Sequence, residues 1–171
     1  MTAPDGPPDA VALRPGTGAG LRRKFLALLG FALPAALISL APPLWLAARS
    51  PGEPLAWTVT IGCVLALVSW LYAFAALARA RTAVHGDVLV RPVALASASL
   101  ARTGGRAGWL GAPLVLAAGL LQHARGVDDA LALGMVLAAA CLVPAVSNDG
   151  ARRLIVQIGL WRALPKYPDS Q

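Results

Sequence analysis

The sequence predicts an all-α integral membrane protein: four transmembrane helices as two helical hairpins, plus a C-terminal interfacial helix. Three observations lead there. The 171 residues are 57% hydrophobic and 13% charged, whereas soluble domains carry about 25% charged residues. Mean hydropathy is +0.65. Four apolar stretches lack Asp, Glu, Lys, Arg and His altogether, and the connectors hold the charge. So little polar surface cannot cover a globule in water, and a bilayer is the natural solvent for such a chain.

Residues 1–20, MTAPDGPPDAVALRPGTGAG, are rich in Pro, Gly and Ala and have no apolar period. They are expected to form a disordered N-terminal tail. The transmembrane domain is expected over 21–148, with spans at 25–48, 55–78, 107–121 and 130–148. A 30 Å hydrocarbon core takes about 20 helical residues, with roughly 17–25 usual. The third span is short and needs snorkelling or local thinning at its ends. Helix is the expected conformation of all four, because hydrocarbon offers no partner for an open backbone.

Between the second and third spans lies a basic loop at 79–106. Within it, short β-like runs flank His85-Gly86-Asp87, a hairpin signal. The run VALASASLA suggests a short surface helix stopped by Gly104-Gly105. Residues 149–171 are expected to form an interfacial segment. Leu154, Ile155, Ile158 and Trp161 share one helical face, and Arg153 and Gln157 lie opposite. The other two connectors are only a few residues long.

The basic residues set an expected orientation. Only Arg49 and Arg125 fall on one side; every other Lys and Arg falls on the other. Positive flanks stay inside, so both termini are expected to be cytoplasmic, in a multi-pass cell-membrane protein. Arg22, Arg23, Lys24, Trp109, Arg152, Arg153 and Trp161 are the expected interface residues on that side. Trp70 lies too deep for an aromatic belt and is expected between helices. Pro34, Pro42, Pro43, Pro113 and Pro144 invite kinks, with Pro42-Pro43 expected to end regular helix early. Gly62 with Ala66, and Gly134 with Ala138, would permit close helix approach. The Ala-, Arg- and Gly-rich composition suggests a high-GC bacterial source.

Chemistry is harder to find. LRRKFLALLG at 21–30 resembles a twin-arginine export signal, but Leu21 and Ala27 depart from that pattern; a basic flank of span one is the expected role. NDGARR at 148–153 resembles a fragment of the CDP-alcohol phosphatidyltransferase signature. That family needs several Asp residues to hold two metal ions. Here Val146 occupies the earlier acidic position and no Asp follows until Asp169, so the resemblance implies no such site. Small multidrug transporters share the four-helix layout but use a membrane carboxylate, which these spans lack. Quinone-linked thiol oxidases carry paired cysteines near the membrane surface, whereas Cys63 and Cys141 stand apart in apolar runs as expected small hydrophobes.

His85 and His123 are expected on opposite sides, which excludes joint metal ligation. Asp128 or Asp129 is expected to cap the fourth span. No hydroxyl has a nearby base. The expected function is therefore a non-catalytic accessory, scaffold or assembly subunit of a larger membrane complex. Expected partners are the lipid bilayer and another membrane protein or a second copy. No nucleic acid, cofactor or metal is expected. The alternative is a lipid- or hydrophobic-ligand-handling protein, possibly an enzyme, with Arg79, Arg81, His85 and Asp87 at a cytoplasmic mouth.

Overall fold

The protein is described by a computed structural model covering residues 10–13, 15–48 and 53–161. It is helical, with one small sheet at one end. The elements are β1 (Ala10–Ala12), α1 (Thr17–Ala48), α2 (Glu53–Thr82), β2 (Val84–His85), β3 (Val88–Val90), α3 (Arg91–Ala124) and α4 (Ala130–Trp161). All four helices are long and apolar enough to cross a membrane. Ala and Leu, which dominate them, are the strongest helix formers. The internal prolines Pro34, Pro42, Pro43, Pro113 and Pro144 all lie within helices. Pro42-Pro43 therefore does not end α1, which continues to Ala48.

Three sequence expectations are corrected. First, the N-terminal tail is not structureless up to residue 20. Residues 10–12 pair antiparallel with β3, Leu13 is buried, and α1 already begins at Thr17; residues 1–9 lie outside the described residues. Second, 79–106 is not a loop. It holds the end of α2, the β2–β3 hairpin and the first turns of α3, which runs unbroken through Gly104-Gly105. Third, no separate interfacial helix starts at 149, because α4 passes without interruption from Ala130 to Trp161. The expected interfacial residues beyond 161 lie outside the described residues.

The hairpin itself follows the local chemistry. His85 pairs with Val88, leaving a two-residue turn in which Gly86 takes φ 56°. Such turns require positive φ, which glycine adopts without a Cβ clash. The sheet order is β1-β3-β2. Pro92 in the first turn of α3 starts the helix where its missing N–H leaves no gap.

Packing is closest between α3 and α4, then between α2 and α3. Helix α1 leans on α2 and more lightly on α4. The α3 face toward its neighbours is made of small residues, including Ala101, Gly104, Gly105, Gly108, Gly111, Ala112 and Gly119, all buried. Gly119 meets Gly134 backbone to backbone, and Gly62 lies against Leu137. Without a hydrophobic drive between helices in lipid, such close approach supplies dispersion contacts instead. Trp70 is 1% exposed. It stacks on Phe74 at 5.7 Å and donates its indole N–H to Ser39 Oγ at 2.9 Å.

Two glycines of α1 serve no such contact. Gly20 and Gly30 lie inside α1, and a Cβ at either would meet nothing within 4 Å. Gly30→Ala should therefore raise stability by about 0.5–1 kcal/mol through helix propensity. A thermal melt in detergent checks this; a clear loss would mean that another surface occupies that face.

Candidate functional site

The main polar arrangements between the helices do not match the cluster expected from sequence. The first is a buried node. Asn148 on α4 is 0% exposed. Its Nδ2 donates to Pro144 O at 2.9 Å and to Ser69 O at 3.0 Å, with Ser69 Oγ at 3.4 Å. Ser69 Oγ donates in turn to Gly104 O at 2.7 Å. Asn148 Oδ1 is buried with no hydrogen-bond partner. The node ties α2, α3 and α4 at one height, and it fits only because Gly104 has no Cβ: one there would lie 2.5 Å from Tyr72 Cβ and 2.8 Å from Asn148 Nδ2.

The expected ligand cluster does not assemble. Arg79, Arg81 and His85 are exposed. The Asp87 carboxylate turns away from them to the start of α1, where Oδ2 accepts from the Gly16 N–H at 2.8 Å and Oδ1 from the Gly18 N–H at 2.9 Å. Asp87 O also accepts from the Leu13 N–H at 2.7 Å. Asp87 thus caps a helix from a distant loop, satisfying amides that have no partner within the helix. A negative charge there also meets the positive end of the helix dipole. Asp87 acts as a cap, because the hairpin turn sets its carboxylate against the unpaired amides at the start of α1.

This cap makes a pH prediction. The Gly18 amide, then the Gly16 amide, hold the Asp87 carboxyl below the usual carboxylate range. A depressed folded-state pKa means that the contribution is present above the unfolded value, about 4, and is lost as pH falls through the folded value. Hydrogen exchange at Gly16 and Gly18 should be slow at pH 6 and quicken in acid below about pH 4, relative to the intrinsic rate. Asp87→Asn should show weakened protection already at pH 6. Equal protection in the variant would remove the cap from the account.

The second arrangement is a seam between α3 and α4. Trp109 Nε1 donates to Asp149 Oδ2 at 3.1 Å. Farther toward the sheet end, Arg91, Ala94, Leu95 and Ala98 of α3 face Ile155 and Val156 of α4 across an apolar groove of about 270 Å³. Of the other expected interface residues, Arg22, Arg23, Lys24 and Arg153 are exposed, and Arg152 is half-buried. Trp161 is the last residue of α4, and its side chain lies outside the described residues.

At the opposite end, Gln122 Nε2 donates to Thr58 Oγ1 at 3.0 Å. His123 lies in the last turn of α3, far from His85 in the sheet. Asp129 precedes α4 at φ 60°, and its carbonyl accepts from the Leu133 N–H at 2.9 Å. No side-chain cap from Asp128 or Asp129 is present among the described residues. Cys141 is buried, with Sγ 3.7 Å from Gly62 O, and Cys63 is partly buried; both are free thiols. No family model matches the chain, and neither a curated protein nor a solved structure matches it.

Proposed function

We propose that this chain is a non-catalytic, multi-pass subunit of a larger membrane complex, serving as accessory, scaffold or assembly partner. We place it in a cell membrane, with both termini cytoplasmic by the positive-inside distribution. The observation that carries the reading is a step in the apolar surface around the bundle. Ser39 of α1 stands beside Trp70, at the height of the Ser69–Gly104–Asn148 node. On α3 and α4, Arg102, Arg106 and Arg152 lie within roughly 6 Å of that height at 1.5 Å per residue. On α1 the exposed face stays apolar past it. Phe31, 74% exposed, and Leu26 stand roughly 12 Å and 20 Å farther toward the sheet end.

One flat membrane boundary cannot serve both sides. A boundary high on α1 immerses the arginines, at roughly 2.5–3.5 kcal/mol each near the bilayer centre. A boundary at the arginines leaves Leu26, Leu28, Phe31 and Leu33 in water, and each, being partly exposed, forgoes roughly half of the 1.5–3 kcal/mol that full burial of such a side chain is worth. Either position costs several kcal/mol. A protein surface against the upper part of α1 removes the conflict.

Deletion of the chain should lower the level of one particular membrane protein, and deletion of that protein should lower this one. Native mass spectrometry after gentle extraction should find the pair together. A chain that is stable and alone in its own membrane would overturn the proposal. The alternative, handling of a lipid or other hydrophobic ligand, would seat that ligand in the α3–α4 groove. It predicts a defined lipid bound to a lone chain or homo-oligomer.

A further inference from the structure

We infer that the α3–α4 seam is a docking site for an acidic amphipathic segment of a partner protein. The inference rests on the accessory reading and names the chemistry of one contact. On α3, Arg91, Leu95, Arg102, Arg106 and Trp109 recur at spacings that bring all five within about 60° of one another around the helix. On α4, Asp149, Arg152 and Val156 recur at i, i+3 and i+7, again one face. The two faces meet at both ends of the seam: Trp109 bonds Asp149 at one end, and Arg91 and Leu95 share the groove with Val156 at the other. Arg102 and Arg152 must therefore lie between these two contacts.

These charges lie at the surface without a protein counter-charge among the described residues. Arg91, Arg102, Arg106 and Arg152 make no ion pair among the described residues, and the nearby Asp149 carboxylate is already held by Trp109. The groove beside them is lined by Leu, Ala, Ile and Val apart from Arg91, and Leu95 is 67% exposed. An apolar groove flanked by arginines at both ends is complementary to an apolar side chain flanked by carboxylates. Arg102 and Arg106 lie one turn apart, and the groove begins one to two turns beyond them. The partner segment therefore presents two carboxylates about a turn apart, then a bulky aliphatic or aromatic residue, then a further acid opposite Arg91. Its acids offer the planar oxygen pairs that a guanidinium binds in fork geometry.

The test uses the full chain in its native membrane, with a photo-crosslinking amino acid at Leu95 or, separately, at Phe31. At Leu95 the expected product is one protein, joined through a peptide with the acid and apolar spacing above. Arg102→Glu with Arg152→Glu should lower that yield at least tenfold and leave the Phe31 product unchanged. Reversing the partner's matched acids to Lys should restore it. Arg91→Glu is a second, milder variant, since an acid is favourable in the first turn of a helix; it should lower the Leu95 yield even where the double variant does not fold. A phospholipid captured at Leu95, a captured peptide without acids, or a yield indifferent to charge reversal would each overturn the inference. Capture at Phe31 alone would do so while leaving the accessory reading intact. No protein at either position would overturn both.

Discussion

Gly108→Leu should abolish or nearly abolish the folded bundle. A Cβ at Gly108 would already lie 2.5 Å from the Cys141 carbonyl oxygen and 2.7 Å from Ala145 Cβ, with Ser69 Oγ at 3.1 Å. The first of these is helix backbone and cannot swing aside, so α3 and α4 would have to separate. Overpacking by a few methylenes costs about 1–3 kcal/mol when neighbours can shift. Here a whole leucine meets a backbone that cannot, and total stabilities are only about 5–15 kcal/mol. Gly108→Ala should lose about 2–3 kcal/mol, and Gly30→Leu, in open space, should lose little. Thermal or SDS unfolding of the purified variants, with folded yield after extraction, measures the series. A Gly108→Leu protein that melts within a few degrees of wild type would contradict the close α3–α4 contact.

Asn148→Asp should be the most damaging single polar change. The side-chain amide donates toward three oxygens and is wholly buried. A carboxylate in its place has no proton to give and turns a negative charge toward those same acceptors. An uncompensated buried charge costs roughly 3–5 kcal/mol. Asn148→Ala should be milder, losing about 1–3 kcal/mol from absent hydrogen bonds and a small void. The order of stability, wild type above Ala above Asp, is what unfolding in detergent at pH 7 must reproduce. If Asp equalled wild type, Asn148 would be facing water or a cation rather than the Ser69 oxygens.

Both effects arise where sequence patterns gave little warning. Asn148 sat at the end of an apolar run and read as an exit from the bilayer. Gly104-Gly105 read as a helix stop because glycine weakens isolated helices. In the folded chain α3 runs unbroken through the glycine pair, and Asn148 is buried against α2. Gly104 lets α3 close on Asn148, where a Cβ would clash, whereas one at Gly105 would meet only ordinary contacts; the α3–α4 contact outweighs the pair's low helix propensity. Gly134 and Gly62, chosen by spacing alone, do make close contacts, although an Ala-rich chain offers many such spacings. Trp70 between helices and the turn at His85-Gly86-Asp87 were legible because each depends on local chemistry.

Composition and the length of the uncharged runs by themselves determined that this is a helical protein with four segments able to cross a membrane. They suffice because hydrocarbon admits no unsatisfied backbone and so leaves each run a single conformation. Only the tertiary structure decided where the helices end, which glycines are structural, and that Asp87 caps α1. It also decided that Arg91, Arg102, Arg106 and Arg152 share one seam. Each of these depends on residues distant in sequence reaching the same height and face of the bundle, and the axial register of one helix against another is set by packing, not by periodicity within either.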